Sequence, residues 1–311
     1  MKKISFLVPV FNEEKSLLTL YQEILKNIPG CAYEIIFIDD GSKDNSFSVM
    51  KELAEKNNNV KVVSFRKNFG KSAGLQTGFQ IASGDVIVTI DADLQDDPGE
   101  IPKFLTKLEE GYDLVVGWKK KRRDPLSKKI PSRIFNWVVS MFFSLHLHDF
   151  NCGFKAYRSK LVKELDIYGD MHRYIPALAH ARGFRVAEIP VQHRPRKFGK
   201  SKYGRERYLR GFLDLLTVKL VTHFIHSPLY LFGSIGVTFS LVGFAIGLYL
   251  TVMKIIYHQP LTNRPLLFLS VLLITVGIQF LSIGLLGELI VNQNRNTNRE
   301  RQISIAERVN F

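Results

Sequence analysis

Val86-Ile-Val-Thr-Ile-Asp-Ala-Asp-Leu-Gln-Asp-Asp-Pro98 is a short, β-branched apolar run that breaks abruptly into carboxylates. The apolar part suits a strand buried on both faces of a parallel sheet. In open α/β sheets, ligands bind at the carboxyl ends of such strands. Asp91 and Asp93 stand two apart, so an extended chain would point both to one face. Two hard oxygen ligands there, with Gln95 close behind, suit Mg²⁺ or Mn²⁺ bridging to a nucleotide diphosphate. A bare Asp-x-Asp also fits a solvated acidic turn, and the rest of the chain decides between the two.

Outward from this stretch, residues 4–118 alternate short apolar runs with amphipathic ones. Strands are predicted at 4–10, 33–38, 60–65, 85–90 and 113–117, and helices at 13–27, 44–56, 72–82 and 100–110. Ser42 or Asp44 is placed to cap the second helix. The βαβαβ rhythm predicts an α/β, Rossmann-like, mostly parallel sheet covered on both faces. Four polar clusters then fall at or just after strand ends: Pro9 to Glu13, Asp39 to Ser42, Arg66 to Lys71, and Asp91 to Gln95. Strand ends along one edge converge on one crevice, so the four together indicate a nucleotide site. No Gly-x-Gly-x-x-Gly follows the first strand, which disfavours a dinucleotide oxidoreductase. Gly-Lys-Ser occurs at 70–72 and 199–201, but Phe65 and Arg194 stand where a P-loop needs its first glycine.

The 311 residues carry a formal net charge of +14. Residues 119–133 hold eight Lys or Arg against Asp124, and residues 194–210 hold eight against Glu206. Residues 229–253 and 266–287 contain no charged side chain. Each run is long enough to cross a hydrocarbon core, and the short loop between them predicts a transmembrane helical hairpin. Residues 205–226 mix Arg and Lys with Leu209, Phe212, Leu213 and Leu216, which suits an interfacial amphipathic helix. Residues 131–147 form a second amphipathic stretch, read either as interfacial or as a core helix. The organisation expected is a cytoplasmic catalytic domain over 1–204, a juxtamembrane helix over 205–227, two transmembrane helices within 228–291 and a cytoplasmic tail over 292–311. Basic clusters beside spans favour the cytoplasmic leaflet. This predicts a multi-pass inner-membrane protein with both termini cytoplasmic. Met1-Lys2-Lys3 leads into a run too short for a secretory leader. The hairpin argues against nucleic acid as the partner of the charge. Cys31 and Cys152 lack metal-ligand spacing and are expected as free thiols.

Pro-Val-Phe-Asn-Glu at 9–13, Asp-Asp-Gly-Ser at 39–42, Asp-Ala-Asp-Leu-Gln-Asp-Asp-Pro at 91–98, Asp149 with Cys-Gly-Phe at 152–154, and Arg-Lys-Phe-Gly-Lys-Ser-Lys-Tyr at 196–203 occur in this order. In them the chain resembles family 2 glycosyltransferases of the polyprenyl-phosphate group, which includes bactoprenol glucosyltransferases and dolichol-phosphate mannose synthases. The resemblance covers nearly the whole chain. It implies a GT-A fold, a nucleotide-sugar donor, Mg²⁺ or Mn²⁺, a lipid-phosphate acceptor and a homo-oligomer, a tetramer in form. It assigns Pro9, Phe11, Glu13, Asp39, Asp40, Lys71 and Asp91 to the nucleotide, and Asp91, Asp93 and Gln95 to the metal and diphosphate. Arg196, Ser201 and Lys202 match a phosphate-contacting element. Arg122, Arg123 and Arg133 fall where related enzymes hold the acceptor phosphate. Asp93, Asp149 and Arg196 are the catalytic candidates. Lys119 stands where an arginine is frequent, keeping the charge but losing the bidentate fork.

A sugar-acceptor alcohol needs a base to remove its proton, but a lipid phosphate, with a second pKa of about 6, is already largely an anion at neutral pH. The problem is to bring two polyanions together, which calls for a metal on the leaving diphosphate and cations around the acceptor. Asp149 is therefore read as a partner of a sugar hydroxyl or an arginine in preference to an obligatory base. The expected reaction is inverting transfer of a hexose to undecaprenyl phosphate, with UDP-glucose as the default donor. The alternatives are GDP-mannose or a UDP-linked amino or deoxy sugar such as aminoarabinose. A processive polysaccharide synthase is disfavoured because neither Trp118 nor Trp137 follows an arginine. A non-catalytic membrane scaffold is disfavoured by the intact motifs.

Overall fold

A computed structural model describes residues 3–28, 30–120, 136–195, 218, 228–258 and 265–297, with side chains to 291. The chain forms two compact units, Met1–Val218 and Lys219–Phe311.

The first unit is built on strand β1 (Lys3–Val10), whose Ile4, Phe6, Leu7, Val8 and Val10 are all buried. A strand apolar at consecutive positions needs cover on both faces, and parallel neighbours with crossover helices provide it. β2 (Ala32–Asp39) and β4 (Val86–Thr89) flank β1 in parallel, and β3 (Val60–Ser64) pairs parallel with β2. The crossovers are α1 (Glu14–Lys26), α2 (Ser46–Lys56) and α3 (Lys71–Ile81). α1 buries Leu17, Leu20 and Ile24, one face at helical spacing. Each such side chain removed from water stabilises the fold by about 2 kcal/mol. α4 (Ile101–Glu109) and β5 (Leu114–Trp118) follow. These nine elements lie within two residues of the bounds predicted from periodicity. Asp44 does accept from Ser46 N at 3.0 Å at the start of α2, although Asn45 is the N-cap residue.

The rest of the sheet has no counterpart in the sequence reading. β6 (Lys155–Arg158) and β7 (Val186–Pro190), with α5 (Ser159–Glu164) and α6 (Ile175–Ala181) between them, complete a seven-stranded sheet of order β3-β2-β1-β4-β6-β5-β7. β6 runs antiparallel between β4 and β5, with Val88 opposite Ala156 and Val115 opposite Ala156 on the other side. The Phe104 and Phe154 rings, with centroids 4.4 Å apart, pack α4 against the approach to β6. Residues 136–143 are helical, with Val139 and Phe143 buried but Trp137 and Met141 exposed. The predicted helix over 205–226 lies outside the described residues, Val218 apart.

The second unit is a helical hairpin, Pro228–Ile255 and Pro265–Thr297. Its apolar stretches of 28 and 27 residues are long enough to cross a membrane, at about 1.5 Å per residue. Most of their side chains face outward, among them Phe244, Leu248, Phe268, Leu272 and Ile278. The two helices meet through small residues. A β-carbon on Gly236 would lie 2.6 Å from the Gly277 carbonyl oxygen, and one on Gly243 would lie 2.8 Å from that of Ser270. The Ser270 hydroxyl donates to the Gly243 carbonyl at 2.7 Å.

Candidate active site

The loops after β1 and β2 are sewn together by their own polar groups. Asn12 N donates to Ser42 Oγ at 2.9 Å, Lys43 N to Asn12 Oδ1 at 2.7 Å, and Glu13 N to Ser46 Oγ at 2.9 Å. Asn12 takes a left-handed conformation, φ +52°, which an Asn tolerates in a turn. Pro9 lies within β1 opposite Ile38, and Phe11 and Glu13 are partly exposed beyond it.

Asp39 and Asp40 are both buried, and both are used by the fold. Asp39 accepts from Ser42 N at 3.0 Å and Ser64 Oγ at 2.7 Å. Asp40 accepts from Phe69 N at 2.6 Å and Gly70 N at 2.9 Å. Burial pushes the Asp40 carboxyl up, against the pull of these two N–H groups. Directly after the two aspartates, Gly41 at φ +71° lets the chain pass the 67–68 backbone, where a β-carbon would come within 2.6 Å. Asp40 therefore fixes the turn that launches α3, and with it Lys71, the first residue of that helix. On the other side of Lys71, Ser72 Oγ accepts from His172 N and also bonds His172 Nδ1, both at 3.0 Å. Burial holds the His172 imidazole well below its usual pKa, so it is neutral and its Nδ1 can accept the serine proton.

β4 ends at Thr89, earlier than predicted, and the acidic pair occupies a turn rather than an extended strand. Leu94 at φ +60° closes that turn. Burial still alternates: Asp91, Asp93 and Gln95 are partly exposed while Ala92, Leu94 and Asp96 are buried. Lys71 Nζ sits 2.5 Å from Asp91 Oδ1. Burial pushes the Asp91 carboxyl up, but the Lys71 charge, with smaller help from Lys119 and Lys155, outweighs it and holds the group at about 2. Gln95 N donates to Asp93 Oδ1 at 3.2 Å. The Gln95 side-chain amide is 3.4 Å from His193 Nε2 and 3.5 Å from the Arg194 carbonyl. Arg194 in turn bridges Glu23 at 2.7 Å and Asp97 at 2.8 Å, tying the 193–195 segment beside the acidic turn.

The structure gives a place to Gly153, which the Cys-Gly-Phe motif carries without a role, and adds Lys155, which no motif contains. Gly153 backs Asp91 so closely that a β-carbon would lie 2.7 Å from its carboxyl carbon. Lys155, only 3% exposed, donates to the Cys152 carbonyl and is brought down to about 8 chiefly by burial. The charge of Asp149, 1% exposed, opposes that fall and places this carboxylate in the same electrostatic neighbourhood. Lys119 pairs with buried Asp96 at 2.8 Å, and despite burial its pKa is raised. Burial raises the Cys152 thiol to about 12, so it is an inert packing group. A charged residue inside a four-residue strand and a glycine next to a motif cysteine were the available signals. Arg122, Arg123, Arg133, Arg196, Ser201 and Lys202 lie outside the described residues.

The donor set suits a divalent metal. Asp91 is ionised, partly exposed and two residues from Asp93, and the missing side chain at Gly153 is the room its carboxylate fills. Among the described residues no three His, Cys, Asp or Glu side chains converge, so an ion here would complete its shell with water and phosphate oxygens.

Residues 5–166 match the family described as Glycosyl transferase family 2. The chain belongs to this family. The dodecaprenyl-phosphate galacturonate synthase of Rhizobium johnstonii is 36% identical to this glycosyltransferase over 295 residues, covering 93% of the chain and 87% of the relative. The undecaprenyl-phosphate 4-deoxy-4-formamido-L-arabinose transferase of Klebsiella pneumoniae is 36% identical over 298 residues, covering 93% and 88%. The fold is that of glucosyl-3-phosphoglycerate synthase from Mycobacterium tuberculosis, solved with Mn²⁺, UDP-glucose and phosphoglyceric acid. That structure matches with a TM-score of 0.56 at 21% identity, over 71% of this chain and 79% of the other. The glycosyltransferase is thus of GT-A type.

Proposed function

We propose that this enzyme transfers a sugar, with inversion, from a nucleoside diphosphate to the phosphate of a polyprenyl lipid at the cytoplasmic membrane face. The likeness to two polyprenyl-phosphate sugar transferases, running over 93% of the chain, carries this reading. The hairpin supplies a reason for a lipid acceptor, and the Asp91 turn supplies a place for the donor's diphosphate.

Asp91 and Asp93 would hold Mg²⁺ or Mn²⁺, which neutralises the leaving diphosphate when bound. Lys71, fixed at the start of α3, adds a positive charge on the same side. Lys155 lies buried near Asp91 and Asp149 and offsets their charges as the two polyanions approach. The acceptor arrives ionised, so Asp149 orients a sugar hydroxyl or an arginine. Arg122, Arg123, Arg133, Arg196, Ser201 and Lys202 are assigned to the phosphates by motif.

The donor is where this reading moves away from UDP-glucose. The two full-length relatives are named for galacturonate and 4-deoxy-4-formamido-L-arabinose, whereas glucose belongs to the fold neighbour at 21% identity. A UDP-linked uronic or 4-amino-4-deoxy sugar is therefore the preferred donor class. The deciding assay combines full-length protein, undecaprenyl phosphate, Mn²⁺ or Mg²⁺, and labelled UDP-galacturonate, UDP-4-deoxy-4-formamido-arabinose, UDP-glucose and GDP-mannose. Transfer from one of the first two is expected. Transfer from UDP-glucose or GDP-mannose alone would overturn the donor class, and transfer from none would overturn the function. Multi-pass insertion with both termini cytoplasmic, and assembly as a tetramer, complete the proposal. Terminal reporter fusions and native mass spectrometry test them.

A further inference from the structure

We propose that Lys71 is an exchangeable counter-ion. Its ammonium fills the cation position at Asp91 in the unliganded enzyme, and it moves to the donor's diphosphate when a divalent ion takes that position. The inference rests on the reading of the chain as a metal-dependent glycosyltransferase.

The geometry joins a pinned backbone to a flexible side chain. The Lys71 backbone is pinned from both sides, by the two N–H groups that Asp40 holds at 69 and 70 and by the Ser72–His172 pair. Its side chain is a flexible four-carbon stem whose ammonium reaches Asp91 Oδ1 at 2.5 Å. Lys71 and Asp91 are 22% and 31% exposed, so an incoming ligand can reach the contact. An ammonium at that distance occupies space on Asp91 that a metal ion would need, and two cations repel at such range. The metal must therefore displace Lys71, and displacement is unfavourable unless the ammonium finds another anion. The donor's diphosphate is that anion. It would approach the start of α3, whose first-turn N–H groups favour negative charge beside Lys71. Buried Lys155 cannot follow and stays behind Asp91 and Asp149.

Metal and nucleotide are then coupled. Each makes room or supplies charge for the other, and the coupling is reciprocal. Metal alone binds weakly, which keeps the empty site from accumulating a bare cation.

Titration calorimetry and Mn²⁺ paramagnetic resonance on the full-length protein in nanodiscs test this, with Mn²⁺ alone, then with UDP and, in parallel, GDP. In wild type, the nucleotide should tighten Mn²⁺ binding by about tenfold or more. In Lys71→Met, which keeps the stem, Mn²⁺ alone should bind about tenfold tighter than to wild type, while nucleotide alone binds more weakly and the coupling shrinks. Asp91→Asn in the Lys71→Met background should abolish the gain. Unchanged affinity for Mn²⁺ alone in Lys71→Met, with the Mn²⁺–nucleotide complex still formed, would overturn the exchange and leave the proposed function standing. Failure of wild type to bind Mn²⁺ with either nucleotide would remove the metal assignment, and the exchange with it.

Discussion

At the scale of single residues, the site depends on close approaches that one atom would spoil. Gly153 is the sharpest case, since its missing side chain is the room that Asp91 occupies. If Asp91 serves the donor as proposed, Gly153→Ala should lower kcat/KM by about a hundredfold, because displacing a positioned catalytic group by about 1 Å has that scale of effect. The thermal midpoint should move by only a few degrees, roughly what a local shift of 1 kcal/mol produces. Steady-state kinetics beside a melting curve separates the two. Asp149 offers a second test. If it orients rather than abstracts, Asp149→Asn lowers kcat at every pH but keeps the limb near pH ~6 that belongs to the acceptor phosphate. A pH–rate profile in which that limb vanishes would identify Asp149 as a base instead.

At the scale of elements, the far edge of the sheet is held by a buried acid. Glu34 in β2, 1% exposed, accepts from Ser5 Oγ at 2.6 Å, Lys61 Nζ at 2.7 Å and Ser83 N at 2.7 Å, joining β1, β2, β3 and the turn before β4. Burial pushes its carboxyl up, but Lys61, then Ser5 and Ser83, bring it from 4.5 to about 2. A depressed carboxylate contributes stability above its unfolded pKa and loses it as pH falls through the folded one. Glu34→Gln should therefore cost about 2 kcal/mol at pH 7, with Lys61 half-exposed and the pair partly screened. The gap to wild type should close between pH 4.5 and about 2, as measured by thermal unfolding across that range. The elements that sequence made legible are those whose signal is local. β1 to β5 and α1 to α4 each carry a run with its own period, and their strand ends marked Asp91, Asp40 and Lys71. β6 is four residues, Lys-Ala-Tyr-Arg, with no period to detect and charges that argue against a strand. Its antiparallel seat between β4 and β5 follows from long-range pairing, and so do the roles of Gly153 and Lys155, which that pairing brings behind Asp91.

At the scale of the whole molecule, two units follow different packing rules. The catalytic unit buries branched and aromatic side chains in one core. The hairpin turns its large apolar side chains outward and packs through Gly236, Gly243, Ser270 and Gly277. Close backbone approach of this kind is how apolar helices associate in lipid, where burial of apolar surface gives no advantage. Gly277→Leu should force the helices apart, because a β-carbon there already lies 2.6 Å from the Gly236 carbonyl oxygen. Disulfide trapping between cysteines placed at 232 and 284, whose β-carbons would lie 3.3 Å apart, should be efficient in the parent and lost in the variant, while nucleotide binding by the catalytic unit is unchanged.

The place of β6 in the sheet also has a consequence for biosynthesis. β4 is complete at Thr89, yet its outer neighbour begins only at Lys155, and β5 has no sheet partner until β6 and β7 exist. A nascent chain therefore carries an open strand edge through this interval, the kind of surface that chaperones cover and that seeds aggregation. Asp91 meets Gly153 only once the ribosome has passed that point. β7 ends at Pro190, ahead of the first apolar helix at Pro228. The order of synthesis thus makes all seven strands available before the chain presents a segment for membrane insertion.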